Sequence, residues 1–291
     1  MDRLALCEIW QQTQNITKKR FDAILHTLPS TKYSKLRNVH NLSEWRIREL
    51  EIPTTIETSK EDSLGMALRL KQTQGLNPVV LNFADAKVPG GCVEEGVVTQ
   101  EEDLFRRTTY FQTLTKKFYP LSGHDLVYSP TVLVFRKSQK EQFALMEHPV
   151  SLAMIAIPAL QGPEKEAGRM TNSYEIQMTK DKMEMMFQTA ILHGHDALVL
   201  GAWGCGAFHN NPPEHIAELF CKVIKKYARY LLVVGFPIPS SEFQPNSNYD
   251  IFVKTLNKDY TAAMAAAAEK EEERDEVDVQ SLLERAQNFE P

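Results

Sequence analysis

The sequence predicts an α/β fold, a sandwich of helices about a mostly parallel or mixed central sheet, on two observations. Short continuous apolar runs recur at Pro78–Ala84, Thr131–Phe135, Ala153–Pro158, Ala197–Gly201 and Leu231–Phe236. A run of that length reads as a strand buried on both faces. Segments with apolar residues at helical spacing lie between these runs, and strands alternating with helices imply helical layers packed on a sheet. The composition agrees. With 43% hydrophobic and 24% charged residues over 291 positions, the chain is of ordinary globular type and long enough to bury a sizeable core. Collagen-like, fully disordered and repeat-fibrous classes are excluded, and no internal repeat is visible.

The elements follow in order. Leu4, Leu6, Ile9, Trp10, Ile16, Phe21, Ile24 and Leu25 predict a helix or helix pair over residues 4–26. Residues 27–57 are turn-rich. Ser59 to Gln72 reads as a helix, with Ser59 as N-cap and Leu64, Met66, Ala67, Leu68 and Leu70 as its apolar stripe. Further helices are expected over Gln100–Lys117, over Lys180–His193 on the face of Met183, Met186, Phe187, Ala190 and Ile191, and over Pro213–Tyr227. Ala262–Ala268 followed by an acidic run is of low complexity and reads as a tail outside the core.

Charge and cysteine usage narrow the function classes. The net charge of -5 is concentrated in residues 269–291, which hold nine acids and three bases. The rest of the chain is near neutral, so no basic field calls for duplex nucleic acid. No apolar run approaches the roughly 18–20 residues of a membrane helix, and the early Glu8 argues against a secretory signal. Cys7, Cys92, Cys205 and Cys221 form no C-x-x-C pair, so reduced thiols in the cytoplasm or nucleus are expected.

Three segments could carry chemistry. Val88-Pro89-Gly90-Gly91-Cys92 follows the first apolar strand. Paired glycines make a tight turn, and they also let a backbone approach a ligand and aim its N–H groups at it. Gln100-Glu101-Glu102-Asp103 opens a helix. Thr99-Gln100-Glu101-Glu102 fits a capping box, and Glu102/Arg106 and Asp103/Arg107 are i,i+4 pairs suited to an exposed helix. Glu101 and Glu102 are expected on different helix faces, a poor match for two carboxylates facing each other across a sugar. The third segment runs from Gly201 through Trp203, Gly204, Cys205, Gly206, Phe208 and Asn210 to Pro213, between a strand and a helix. Three glycines in six residues there favour a diphosphate cradle over a bare turn, although neither Gly-Lys-Ser/Thr nor G-x-G-x-x-G is present. A Cys–His dyad drawn from Cys92 or Cys205 and the nearby histidines has nothing in the spacing to fix it, and the histidines show no zinc spacing.

Together these pieces resemble the signature of poly(ADP-ribose) glycohydrolases, and most of all the bacterial-type (microbial) branch. They are Val79-Val80-Leu81-Asn82-Phe83-Ala84, then Pro89-Gly90-Gly91-Cys92, seven residues, and Gln100-Glu101-Glu102. Gly201–Phe208 with Asn210 and Pro212 resembles the family's diphosphate loop, and the match runs over roughly residues 5–240. The resemblance implies a macrodomain-like three-layer α/β/α sandwich with an N-terminal helical extension over 1–57, a catalytic core over 58–260 and an acidic tail over 261–291. It implies hydrolysis of the ribose–ribose O-glycosidic bond, reversing ADP-ribosylation in a DNA damage response. Glu102 would be the acid/base and Glu101 would help hold the next ribose. Asn82, Gly90, Gly91, Cys92, Gln100, Gly204, Cys205, Gly206, Ala207 and Phe208 would bind substrate. The implied partners are ADP-ribose and poly(ADP-ribose) on modified proteins, with no metal or other cofactor, no membrane, and a monomeric chain. The chain departs from the family at Cys92, where a third glycine is usual. A side chain there adds bulk and is costly wherever φ must be positive. That departure keeps open a non-catalytic ADP-ribose reader, and hydrolysis of another ADP-ribosyl linkage stands beside it.

Overall fold

The computed structural model describes residues 1–21, 29–34, 50, 52, 54–206, 210–227, 229–239 and 247–258. Ile24 and Leu25, Ala207 and Phe208, and the acidic tail lie outside the described residues. The strands of the main sheet are β1 (Thr31–Tyr33), β2 (Thr55–Ser59), β3 (Pro78–Asn82), β4 (Leu126–Arg136), β5 (Leu145–Ala156), β8 (Ala197–Val199) and β9 (Val233–Pro237), with a separate hairpin of β6 (Lys165–Glu166) and β7 (Arg169–Met170). The helices are α1 (Arg3–Arg20), α2 (Ser63–Gln74), α3 (Gln100–Arg107), α4 (Tyr110–Thr113), α5 (Ser173–Leu192) and α6 (Pro213–Tyr227), followed by a helical segment over 248–258.

The main sheet is mixed, as expected. Its order is β1-β4-β5-β3-β8-β9-β2. Strands β5, β3, β8, β9 and β2 pair in parallel, and β1 and β4 join antiparallel at one edge. All five residues of β3 are buried, and the pleat divides them between two cores. Val79 and Leu81 pack with α5, α6 and Phe252 of the last helix. Val80 packs with α2, α3 and Trp10 of α1. Helices therefore cover both faces, giving three layers.

Two helix starts differ from the sequence reading for local reasons. Ser59 ends β2, and α2 is capped instead by Asp62, whose Oδ1 accepts from the Gly65 N–H at 2.8 Å. The helix expected over Gln100–Lys117 breaks after Arg107. Thr108 is extended (φ -137°, ψ 174°) and forms a β-bridge to Val134. The Thr109 N–H donates to the Leu133 carbonyl, and the Leu133 N–H donates back to the Thr109 hydroxyl. Two successive β-branched residues are weak helix formers, and here the edge of the sheet captures them.

Nor is α3 the exposed helix that its charges suggested. Glu101, Glu102, Arg106 and Arg107 are all buried. The Asp103/Arg107 pair forms at 2.8 Å, and Arg107 also reaches Asp62 at the start of α2 at 2.9 Å. The Glu102/Arg106 pair does not form. Arg106 turns to the carbonyls of Leu6 and Val93. Helix α1 buttresses this arrangement through Leu6, Trp10, Thr13 and Thr17, one buried face at helical spacing, while Leu4 stays exposed. Thr13 donates to the Arg106 carbonyl at 2.6 Å. No helix among the described residues is long and apolar enough to cross a membrane.

Candidate active site

Strands β3 and β8 are parallel neighbours, with Val80 opposite Val199. The segments leaving their C-terminal ends, 83–99 and 200–206, therefore emerge side by side. In an open α/β sheet this end of the strands is where a ligand crevice forms.

Gln100 ties α3 to the end of β3. Its Oε1 accepts from the Phe83 N–H at 2.9 Å, and its Nε2 donates to the Leu81 carbonyl at 2.6 Å and the Ser63 hydroxyl at 3.2 Å. Both ends of the amide are engaged by protein, so Gln100 acts locally as a strut. Glu101 is held next to it. Its carboxylate accepts from Asn82 Nδ2 at 3.0 Å, from the Gly90 N–H at 3.1 Å and from the Asp85 N–H at 2.7 Å. One side chain thus joins the end of β3, the loop behind it and the paired glycines. Burial pushes the Glu101 carboxyl up to about 8, against the lowering effect of those three donors. The hydroxyl of Tyr110 lies fully buried beside Asn82 and Ser129, and burial raises it well above the ordinary phenol range.

Glu102 faces the same loop. Its Oε1 accepts from the Cys92 N–H at 3.0 Å, and its Oε2 accepts from the Thr99 hydroxyl. The expected capping box is therefore absent: the Thr99 side chain makes no cap bond and donates to the acid instead. The two carboxylates also converge more than helix spacing implies. A Cβ built on Gly91 would lie 2.5 Å from Glu102 Oε1 and 3.4 Å from Glu101 Oε2. The separation expected between their faces is overcome because the loop folds over the helix start and meets both side chains.

The glycines are required where the sequence has them. Gly90 and Gly91 have φ of +80° and +53°, and a Cβ on Gly90 would strike the Phe105 ring at 2.5 Å. Cys92 is different. Its φ is -102° and its side chain is exposed, so the cysteine carries none of the backbone strain that the departure from glycine implied. Partial desolvation and the neighbouring acids Glu95, Glu102, Asp85 and Glu101 all push its thiol up, which opposes a thiolate nucleophile.

On the second loop, Gly204 has φ +75°, and a Cβ there would meet Ala159 and Asn211 at 2.8 Å. Asn211 holds the turn by donating from Nδ2 to the carbonyls of Leu160 at 2.7 Å and Gly204 at 3.0 Å. Asn211 lies inside the loop segment singled out from the sequence, but its role as the residue that holds the turn depends on the Leu160 and Gly204 carbonyls that the fold brings to it. Burial raises the Cys205 thiol far above its usual value. Trp203 belongs to the core, buried with its Nε1 donating to the Ile157 carbonyl.

A cavity of about 890 Å3 opens beside these loops, lined among others by Ser63, Phe83, Thr99, Gln100, Gly206 and Asn248. Its size is that of a small-molecule site. Gln100 and Gly206 reach it directly, whereas Glu102 adjoins it through Thr99. Among the described residues, no three His, Cys, Asp or Glu side chains are grouped as metal ligands.

Comparison with known proteins extends the match. Residues 12–137 match the family described as microbial-type PARG, catalytic domain. The structure is similar to that of poly(ADP-ribose) glycohydrolase from Thermomonospora curvata, at 25% identity and a TM-score of 0.70, covering 86% of this chain and 98% of that one. The same protein bound to the inhibitor ADP-HPD gives 25% identity and 0.69 over the same shares. The Deinococcus radiodurans glycohydrolase in complex with ADP-ribose gives 25% identity and 0.66, covering 81% of this chain and 96% of that one. A search of curated protein sequences found no match. The resemblance and the fold class read from the sequence are both borne out.

Proposed function

The chain shares its fold with bacterial poly(ADP-ribose) glycohydrolases and carries their microbial-type catalytic segment, and from that premise we propose that it hydrolyses the ribose–ribose O-glycosidic bond of poly(ADP-ribose), releasing ADP-ribose. The observation that carries the reading is the meeting of the Glu101 and Glu102 carboxylates at Gly91, on a loop whose N–H groups point at them, beside a cavity of ligand size.

The chemistry follows from those groups. Glu102 gives a proton to the leaving ribose oxygen as the anomeric C–O bond breaks. The resulting carboxylate takes a proton from the water that attacks the oxocarbenium-like carbon, which regenerates the acid. Asn82, with a donor and an acceptor on one amide, suits a ribose diol. Its Nδ2 already donates to Glu101, and its Oδ1 is buried with no hydrogen-bond partner among the described residues. Gly204 and Gly206 offer backbone N–H groups to a diphosphate, in a turn that Asn211 holds and that the Cys205 N–H closes by donating to the Ala202 carbonyl at 3.1 Å. Ala207 and Phe208 complete this assignment as further contacts to the nucleotide. The reading includes a monomeric enzyme and an intracellular location, the location supported by cysteines that form no disulfide pattern.

Incubation with labelled poly(ADP-ribose) tests it. Free ADP-ribose is expected. Binding of ADP-ribose without its release would make the chain a reader, and release only from mono-ADP-ribosylated protein or nucleic-acid ends would assign another linkage.

A further inference from the structure

Thr99 stands at the N-cap of α3 with an extended backbone (φ -132°, ψ 177°), yet its side chain caps nothing. A capping hydroxyl accepts from a backbone N–H two or three residues on. Here the hydroxyl donates to Glu102 Oε2, while the Cys92 N–H donates to Oε1 from the opposite side. The carboxylate is thus gripped at both oxygens, by the helix start and by the glycine loop, and Thr99 also lines the cavity. Each oxygen keeps a second lone pair for proton transfer.

We propose that Thr99 is a positioning residue for the reaction, its hydroxyl fixing the Glu102 carboxylate beside the cavity that Thr99 lines, in the orientation proton transfer requires. The proposal rests on the glycohydrolase reading above. A glutamate side chain has three rotatable bonds, all of which must be fixed for the acid to keep one orientation. Oε1 is anchored by a loop backbone, but no other donor to Oε2 is seen among the described residues. Loss of the hydroxyl therefore leaves the acid tethered at one atom, and a displacement of about 1 Å can cost about 100-fold in rate. The charged and titratable groups around Glu102 are Glu101 and Arg106 on its own helix and Cys92 on the loop, with Asp85 and Glu95 also close to Cys92. None of these donates to Oε2.

The test compares Thr99→Val and Thr99→Ser on poly(ADP-ribose). Valine keeps the shape and removes the donor, and serine restores it. Thr99→Val should lower kcat about tenfold or more, with KM and the ADP-ribose Kd within about threefold, and Thr99→Ser should recover kcat to within about threefold of wild type. Wild-type kcat in Thr99→Val overturns the proposal. So does a parallel loss of kcat, Kd and melting temperature, which would make Thr99 structural, or an equal defect in Thr99→Ser. An inactive wild type sinks the glycohydrolase reading and this proposal with it, whereas an active wild type with an unaffected valine variant sinks this proposal alone.

Discussion

Gly91 and Glu102 are packed so closely that a Cβ on the glycine would lie 2.5 Å from the carboxylate Oε1. The glycine also has φ +53°, a conformation disfavoured for any residue with a Cβ. Gly91→Ala should therefore displace the carboxylate and lower kcat about 100-fold, with a stability loss of about 1–2 kcal/mol. Gly65→Ala is the control, since its Cβ would meet Asp62 at an ordinary 3.5 Å. A Gly91→Ala enzyme turning over like wild type would show that the loop does not set Glu102.

Glu102→Gln keeps the shape and removes the proton-transfer group. Release of ADP-ribose should fall to background while ADP-ribose binding stays within about tenfold, or 1.4 kcal/mol. Retained activity, measured by the same polymer assay, would leave Glu102 a purely structural partner of Thr99 and Cys92.

Cys92 contributes its backbone N–H to Glu102, at φ -102°, with the thiol exposed. Cys92→Ala should therefore stay active. Cys92→Gly should do the same, with a few tenths of a kcal/mol lost to greater freedom of the unfolded chain. An inactive alanine variant that still folds and binds ADP-ribose would replace the carboxylate mechanism with a thiol one.

His195 gives a pH signature remote from the glycine loop. Its Nδ1 faces the Asn77 carbonyl at 3.0 Å and so carries the proton, while Nε2 accepts from the Tyr128 hydroxyl at 2.9 Å. Burial pushes this histidine down to about 4, so the folded state keeps it neutral. The unfolded chain takes up a proton near pH 6.5, which the folded chain does not do until about pH 4. Stability should therefore fall as pH drops through that window, by up to about 3 kcal/mol. Denaturant titrations at pH 7 and pH 4.5 should show a smaller drop in His195→Asn, and an equal drop would assign the acid sensitivity elsewhere.

Phe252 and Leu256, on the helical segment over 248–258, are buried in the core. Truncation after residue 260 should leave the melting temperature and ADP-ribose binding unchanged, while truncation after residue 246 should lower both. A large drop from the first truncation, followed calorimetrically, would show that the acidic segment docks.

Much of the fold was legible because its signals are local. The strand Pro78–Asn82 was visible as an unbroken apolar run because both of its faces are covered, and helix α6 was visible because one face of Pro213–Tyr227 repeats at helical spacing. The glycine pairs and Gln100-Glu101-Glu102 were visible because their order along the chain is itself the signal. What the sequence could not determine depends on which groups the folded chain brings within hydrogen-bond reach. Thr99-Gln100-Glu101-Glu102 fits a capping box on spacing alone, and only the Gly90–Cys92 loop, folded over the helix start, turns both carboxylates toward one point and turns the Thr99 hydroxyl onto Glu102. Thr108 and Thr109 sit in a helical pattern, but the neighbouring strand β4 offers them backbone partners that a helix cannot match. Cys92 looked strained from its position in the motif, yet φ is a property of the closed loop and came out negative. Periodicity records which face of an element is buried. Loop dihedrals and side-chain partners are decided by which groups meet in the folded chain, as the Gly90–Cys92 loop meets the start of α3 and Thr109 meets β4.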